Sequence, residues 1–441
     1  MAASDDILVK VRTRKIVLNT FGPLGDLHPY IALALELRER GYRPIIAANN
    51  SHRPVVEAEG IEFHAVRPEV GDFGIESELM KKVMDLKSGP EYVIRHLLMP
   101  NLPASYADLN AACEDADLLV THPLTLTAPL VAEKRRSQGM NWASVAIAPS
   151  VFLSAYDPPV FAPAPWLIHL RVFGPRFYRW LLSIITGTTR SWVEPWHKFR
   201  SELKLPSTTT NPMFSGQFSP ELVLALFSPQ LAQPQPDWPQ HTTITGFPFY
   251  DRRGQAATLA PDLVSFLEAG DPPVVFTLGS SAVMKAEGFY SESAEAAELL
   301  GRRAVLLVGR DPRNRPQKLH SGVVAFEYAP FSVLLSQASA IVHQGGVGTT
   351  AQAMRAGRPM LIVPFGFDQP DNAARVQRLG ISRTLARTAY NRATAARELS
   401  KLLSDNSYSQ KANQVGIHVR KENGALEACN AMESLMRATH N

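Results

Sequence analysis

Residues 340–369, AIVHQGGVGTTAQAMRAGRPMLIVPFGFDQ, are the most informative stretch of the chain. The β-branched run Ala340-Ile341-Val342 stops at a polar pair, His343-Gln344. Gly345, Gly346 and Gly348 then allow a turn in which bare backbone N–H groups face an anion. Thr349 and Thr350 open a helical pattern that runs through Met354 and ends at Gly357-Arg358-Pro359. Strand, glycine turn and helix N-terminus in that order make a phosphate seat, because the first-turn N–H groups are unpaired and the helix dipole favours negative charge. A second apolar run, 360–363, carries Asp368-Gln369 past its carboxyl end, the edge at which open α/β sheets bind ligands.

Outward from this stretch, the same alternation repeats. Residues 16–21, 43–48, 62–66, 118–121, 143–148 and 222–227 read as strands in the first half, and 274–278, 304–308 and 323–326 in the second. Short apolar runs separated by helical patterns predict parallel sheets covered on both faces. The first helix is expected over 29–40, with Pro29 in its first turn and Gly41 just past its end. Prolines 229, 234, 236 and 239 predict a semi-rigid connection, after which Thr243 is expected to start a second α/β unit. The expected domains are 1–228, a linker over 229–245, a second domain over 246–420, and a last segment, 421–441, whose helix over 426–436 returns to the first domain. Between Ser150 and Trp196 aromatics crowd together. The expectation is that they pack helices onto the first sheet, and a second reading has some of them lining an apolar pocket.

The 441 residues suffice for two cores, and 45% hydrophobic with 20% charged residues is ordinary for a globular protein. The net charge of +4 comes from scattered Lys and Arg, without the basic stripe and interleaved aromatics of a nucleic-acid face. No apolar run reaches the roughly 20 residues of a membrane span. The N-terminus lacks the apolar core of a secretory signal, and Cys113 and Cys429 read as reduced buried thiols, so a cytoplasmic protein is expected. Gly279-Ser280-Ser281, at the end of the 274–278 run, is a second glycine turn suited to the same anion. Asp115 and Asp117 have the spacing of an acidic metal motif but directly precede a strand, so no metal is expected.

The acid–amide pair at a fixed distance beyond the glycine turn resembles the donor-site signature of the GT-B nucleotide-sugar glycosyltransferases, the branch of sterol, antibiotic and plant natural-product enzymes. The resemblance implies two facing Rossmann-like α/β domains with the active site between them. Aligned on Pro359, the family's phosphate-binding histidine falls on Gln344, with His343 one step before it. Gly345, Gly346, Val347, Gly348 and Thr349 fall on the phosphate turn, and Asp368 and Gln369 on the pair that holds the sugar hydroxyls. Tyr328 stands where the family has a base-stacking tryptophan, Ala329 where backbone reads the base edge, and Gln352 where a glutamate binds ribose. In the turn after the first strand, GPLGDLHP, the family's catalytic base falls on Asp26. A lone carboxylate is a feeble base towards an alcohol, so a histidine partner is expected, His122 at the end of 118–121 or its rival His28. The alternative for Asp26 is a helix cap.

The implied activity is an inverting, metal-independent hexosyl transfer from a nucleoside diphosphate sugar, UDP-glucose by family frequency, to a hydroxyl of a phenol, polyketide or sterol. No cofactor beyond that co-substrate is expected, and the chain is expected to be a monomer or weak homo-oligomer. Replacement of three donor contacts leaves a second reading, a catalytically silent relative that activates a partner enzyme. A GT-B-fold epimerase would need paired acids or bases around the sugar, and none is visible.

Overall fold

The computed structural model describes residues 12–69, 82, 83, 85, 88–251 and 258–438. The N-terminal stretch read for a secretory signal lies, through residue 11, outside the described residues. Seven parallel strands form the first sheet: β1 (Lys15–Asn19), β2 (Arg43–Ala48), β3 (Glu62–Ala65), β4 (Leu118–Thr121), β5 (Asn141–Ala146), β6 (Leu222–Ala225) and β7 (Thr242–Ile244), in the order β3-β2-β1-β4-β5-β6-β7. Six more, β8 (Val274–Thr277), β9 (Ala304–Leu307), β10 (Val323–Phe326), β11 (Ala340–His343), β12 (Met360–Ile362) and β13 (Ser382–Thr384), form the second, in the order β10-β9-β8-β11-β12-β13. Both sheets reverse strand order once, between β1 and β4 and between β8 and β11. Those two switch points are where doubly wound sheets open a crevice for ligands.

The strands are apolar because helices cover both faces. Ile16, Leu18, Leu118, Val120 and Val145 sit in one core of the first domain, and Val274, Phe276, Leu306, Val342 and Leu361 in one of the second. A third apolar cluster joins the domains, running from Phe152 and Phe227 through Leu231 and Phe247 to Ile341 and Ile362.

Three local expectations change. The first helix spans Leu24–Glu39 and so begins five residues before Pro29, which lies inside it. Proline there removes the N–H that would bond the Gly25 carbonyl, a loss tolerable this close to the helix start. Thr243 does not open the second domain: Thr242–Ile244 pairs in parallel with β6 and closes the first sheet. The preceding prolines, expected as a semi-rigid interdomain connection, instead lead into β7 of the first sheet, and around them Leu231 and Ala232 are buried and Trp238 stacks on Phe152 at 4.3 Å.

The last helix, Gly424–Ala438, packs on the Leu24–Glu39 helix, and its Ala428, Cys429, Met432 and Met436 belong to the first domain's core. Arg40 fastens it by donating to Asn430 Oδ1 at 2.9 Å and pairing with Glu433 at 3.4 Å. The chain crosses between domains at a tight place. Glu422 accepts a hydrogen bond from Ser228 Oγ at 2.6 Å, and a methyl group on Gly424 would come within 2.5 Å of the Gly246 carbonyl oxygen. Cys113 and Cys429 are both buried free thiols, pushed up to about 12 by desolvation.

Gly424→Ala is therefore expected to destabilise the protein by about 1–3 kcal/mol, the cost of overpacking against backbone that cannot easily move. Urea unfolding followed by circular dichroism checks this, and an unchanged midpoint would show that the crossover has room to spare.

Candidate active site

Each switch point holds a pair of sequence-predicted residues. At the first, Asp26 follows β1 and His122 follows β4. At the second, Gly279 follows β8 and Gln344 follows β11. The two crevices face each other. Gly25 lies against Ser280, so that a methyl on Gly25 would sit 3.8 Å from Ser280 Oγ, and Asp26 and Asp368, from opposite domains, repel each other electrostatically.

Asp26 is the third residue of its helix and the acidic residue of its first turn; the N-cap is Pro23, which supplies no side-chain cap hydrogen bond. Its carboxylate lies over Gly22, where a side chain could not fit: a Cβ would be 2.1 Å from Asp26 Oδ2, and Gly22 has φ +131°. His122 is buried, with its Nε2 at 3.8 Å from Asp26 Oδ1. Leu124 N–H donates to His122 Nδ1 at 3.2 Å, so the neutral ring carries its proton on Nε2, facing Asp26. The separation exceeds a hydrogen bond. In this arrangement the solvent-facing group is the carboxylate, and the imidazole stands behind it. His28 goes elsewhere, with its ring 5.2 Å from that of Tyr250, because two helical steps turn a side chain by about 200°.

On the other side, Gly346 caps the helix Val347–Ala356, and the first N–H with an intrahelical partner is that of Thr350, bonded to Gly346 O at 2.9 Å. The N–H groups of Gly348 and Thr349 precede it and stand at the positive end of the dipole. Gly348 is exposed with open space around its Cα. The Gln344 amide is wedged between the two glycine turns: a Cβ on Gly279 would be 2.4 Å from its Nε2, and one on Gly346 2.9 Å. It reaches Thr349 Oγ1 at 3.5 Å. His343 is fully buried and accepts from Gly345 N at 3.0 Å. Burial pulls its pKa down to about 3, so it stays neutral and shapes the turn instead of bringing a positive charge to it. Ser280 and Ser281 occupy the first turn of the short helix Gly279–Ala282.

The carboxylate of Asp368 lies next to this turn. Asn372, four residues on and one helical turn away, donates to Asp368 Oδ2 at 2.6 Å and to Gly345 O at 3.0 Å. Asn372 thus ties the acid to the glycine turn. Sequence reasoning passed over it, although the i, i+4 spacing from Asp368 was visible. Gln369 is buried, and its Oε1 accepts from Phe365 N at 2.7 Å and Gly366 N at 3.1 Å, which leaves its NH2 as the end able to meet a ligand. Gln352 Oε1 accepts from Arg355 at 2.8 Å. Tyr328, beyond the end of β10, is 64% exposed, while Ala329 beside it is buried.

A cavity of about 260 Å³ extends from Asp368 and Phe367 to Leu153 and the run 159–163 of the first domain. Its walls are mainly apolar. Of the crowded aromatics between 150 and 196, Phe152, Tyr178 and Trp196 are buried, whereas Trp166, Phe173 and Trp180 are surface residues, so packing onto the sheet does not account for the whole group. The floor of this cavity is held by buried charges. Arg375 donates to Asp371 at 2.7 Å and to Asp157, while Asp371 accepts from Val160 N at 3.1 Å.

Among the described residues no group of three or more His, Cys, Asp or Glu could hold a metal ion, and no helix is long and apolar enough to cross a membrane.

Although solvent still reaches part of Asp368, protein surrounds its carboxyl on most sides. Desolvation, partly offset by Asn372 and reinforced by Asp26, raises its pKa from 3.8 to about 6. The folded state therefore resists ionising a group that the unfolded chain ionises freely. This cost is absent below about pH 4, grows between pH 4 and 6, and is complete above that range. Asp368→Asn, which keeps an acceptor for Asn372, is expected to stabilise the protein by about 1–3 kcal/mol at pH 7.5 and by nearly nothing at pH 3.5. Denaturant titrations at the two pH values would decide it, and a gain of equal size at both would remove the electrostatic explanation.

Residues 297–432 match the family described as erythromycin biosynthesis protein CIII-like, C-terminal domain. Over 436 residues the chain is 30% identical to the O-mycaminosyltylonolide 6-deoxyallosyltransferase of Streptomyces fradiae, covering 95% of this chain and 97% of that one. It is 29% identical over 438 residues to the sterol 3-beta-glucosyltransferase of Leptosphaeria maculans, covering 94% of this chain but only 28% of that longer protein. Among solved structures, the glycosyltransferase of kitacinnamycin superposes with a TM-score of 0.70 at 20% identity, over 96% of this chain and 100% of that one. VinC in complex with DTDP gives 0.66 at 17%, over 96% and 100%. With the twin switch points, the facing turns and a relative aligned along nearly its whole length, the chain belongs to the GT-B glycosyltransferases.

Proposed function

We propose that the chain moves a hexose, with inversion and without a metal, from a pyrimidine nucleoside diphosphate sugar to a hydroxyl group of a small lipophilic acceptor. The observation that carries this reading is the opposition of Asp26 and Asp368 across the cleft, beside two glycine turns. In the reaction the acceptor oxygen bonds to the anomeric carbon as the bond to the diphosphate breaks. The acceptor proton goes to Asp26, and the diphosphate leaves with the bonding electrons. Its charge meets the N–H groups of Gly348 and Thr349 and the hydroxyls of Thr349, Ser280 and Ser281, a preorganised set of donors at a helix start. Asp368 and the Gln369 amide hold sugar hydroxyls, and the Gln352 NH2 serves the ribose. His122 acts through Asp26: its Nε2–H steadies one carboxylate oxygen while the other takes the proton.

The apolar cavity between Asp368 and Leu153 suits a lipophilic acceptor. Relatives named for transfer to O-mycaminosyltylonolide and to sterols support that class. For the donor, the family resemblance supports UDP-glucose, and the DTDP complex of VinC makes thymidine diphosphate sugars the competing choice. Tyr328 presents an exposed ring for either base.

Purified protein, incubated with each donor and a phenolic or sterol acceptor, should yield glycoside whether or not EDTA is present. Failure with every donor would favour the silent auxiliary reading. Asp26→Asn is expected to lower kcat about 10²–10⁴-fold on an alkyl alcohol acceptor, the usual worth of a general base, with donor affinity little changed. The loss should shrink for acidic phenols, which arrive partly ionised. If His122 acts only through Asp26, the double variant with His122→Asn should be little worse than Asp26→Asn alone. Full activity of Asp26→Asn on an alcohol would leave the base unassigned.

Tyr328→Ala should weaken binding of UDP or TDP by about 1–3 kcal/mol, the range for loss of one aromatic stacking partner. Calorimetric titration gives the value, and unchanged affinity would move the base away from this ring.

A further inference from the structure

From residue 158 to residue 193 the chain has no Asp or Glu, yet it has Arg171, Arg176, Arg179 and Arg190. The same span carries the exposed large hydrophobic residues Trp166, Val172, Phe173, Trp180 and Ile184. None of the residues in the 3-10 segment Pro165–Phe173 is buried, and Trp166, Phe173 and Trp180 are 61%, 64% and 57% exposed. In the helix Gly174–Gly187 the buried residues are Tyr178 and Leu182. A second apolar stripe runs along another face: Phe173, Phe177, Trp180 and Ile184, spaced by four, three and four residues, follow one side of a helix. Their rings touch in series, Phe173 to Phe177 at 5.1 Å and Phe177 to Trp180 at 5.5 Å. Arg171, Arg176 and Arg190 have no acidic partner among the described residues, and Arg179 lies over the Tyr156 ring at 5.9 Å.

We infer that this helix is an interfacial docking surface for an anionic phospholipid bilayer. An aromatic stripe bordered by arginines, with no acid within its own segment 158–193, is the composition of a helix lying in the headgroup layer. Tryptophan suits that depth because one part of its ring system is apolar and its N–H is polar. The covalent path explains what docking would achieve. Residues 159–163 line the apolar cavity beside Asp368, and Trp166 follows three residues later. A lipophilic acceptor dissolved in the bilayer would thus meet the cavity close to the membrane, without crossing water. This last step rests on the proposed transferase reading, whereas the docking itself does not.

Co-sedimentation of the full chain with vesicles tests the inference. Vesicles of phosphatidylcholine with one part in three phosphatidylglycerol should pellet the protein about ten-fold better than phosphatidylcholine alone, and about 0.5 M NaCl should abolish most of the difference. Trp180→Ser and, independently, Arg176→Glu should each reduce pelleting several-fold, with melting temperatures near that of the wild type. Absence of binding to the anionic vesicles, or equal binding to neutral ones, would overturn the proposal. So would a wild-type dimer in sedimentation velocity that Trp180→Ser converts to monomer, since a second copy would then cover the stripe. Transfer to a water-soluble phenol is measured alongside. Normal turnover by Trp180→Ser with loss of pelleting supports docking, and vesicle binding by a chain without transferase activity would leave docking intact while removing the enzymatic reading.

Discussion

Arg375 is the charge on which the geometry of the cleft depends. Its side chain is almost wholly buried, and it is balanced by Asp371 on its own helix and by Asp157 from the other domain. An arginine in that position cannot give up its proton, so it keeps its partners or suffers the cost of an unpaired buried charge, about 3–5 kcal/mol. Arg378 adds a second hold on Asp157 at 3.3 Å, and Asp371 also receives the Val160 N–H. The helix that begins at Gln369, next to Asp368, is thereby fixed to the loop that lines the apolar cavity. Donor and acceptor sides are held to one another by two charged residues one helical turn apart.

Within that frame the cleft is built from groups kept in particular charge states by burial. His343 stays neutral because water cannot reach it, so the glycine turn beside it offers backbone dipoles and hydroxyls and no imidazolium charge. Asp368 is hard to ionise for the same reason and because Asp26 faces it. A donor sugar placed between them would separate two like charges and give each an opposite partner as the anomeric carbon becomes positive. On the proposed reading, the free protein's electrostatic cost at Asp368 is one that the transition state would relieve, which is how an enzyme binds that state more tightly than its substrate.

The strands were legible because parallel strands buried on both faces become uninterrupted apolar runs, and eleven of the thirteen described strands lie where such runs fall. Two of the four edge strands did not show in this way. β7 has the sequence Thr-Thr-Ile and β13 Ser-Arg-Thr, three residues each with one open side, so composition alone did not separate them from loop. The first helix was misjudged at its start because Pro29 looked like a first-turn residue, and no periodic signal precedes it. In the site, the glycine turns, Asp26 and the 368–369 pair could be read because chain order places them at strand ends. What could not be read was side-chain direction: that His122 stands behind Asp26, that His343 is sealed in, and that Asn372 bridges two parts of the donor site. The aromatic segment misled for a related reason, since its sequence does not say which of two apolar stripes faces inward.

The closing helix Gly424–Ala438 sets the order in which the molecule can be completed. Met432 and Met436 fill the same core as Ile16 and Leu18, from a distance of more than four hundred residues along the chain. A growing polypeptide has β1 to β6 available early, but that core keeps an open apolar side until residues 424–438 have left the ribosome. Contacts of such long range close slowly, because the loop entropy must be overcome before they contribute. The domain made first is therefore the one finished last, and through the whole synthesis of its neighbour it presents unsatisfied hydrophobic surface that chaperones would recognise.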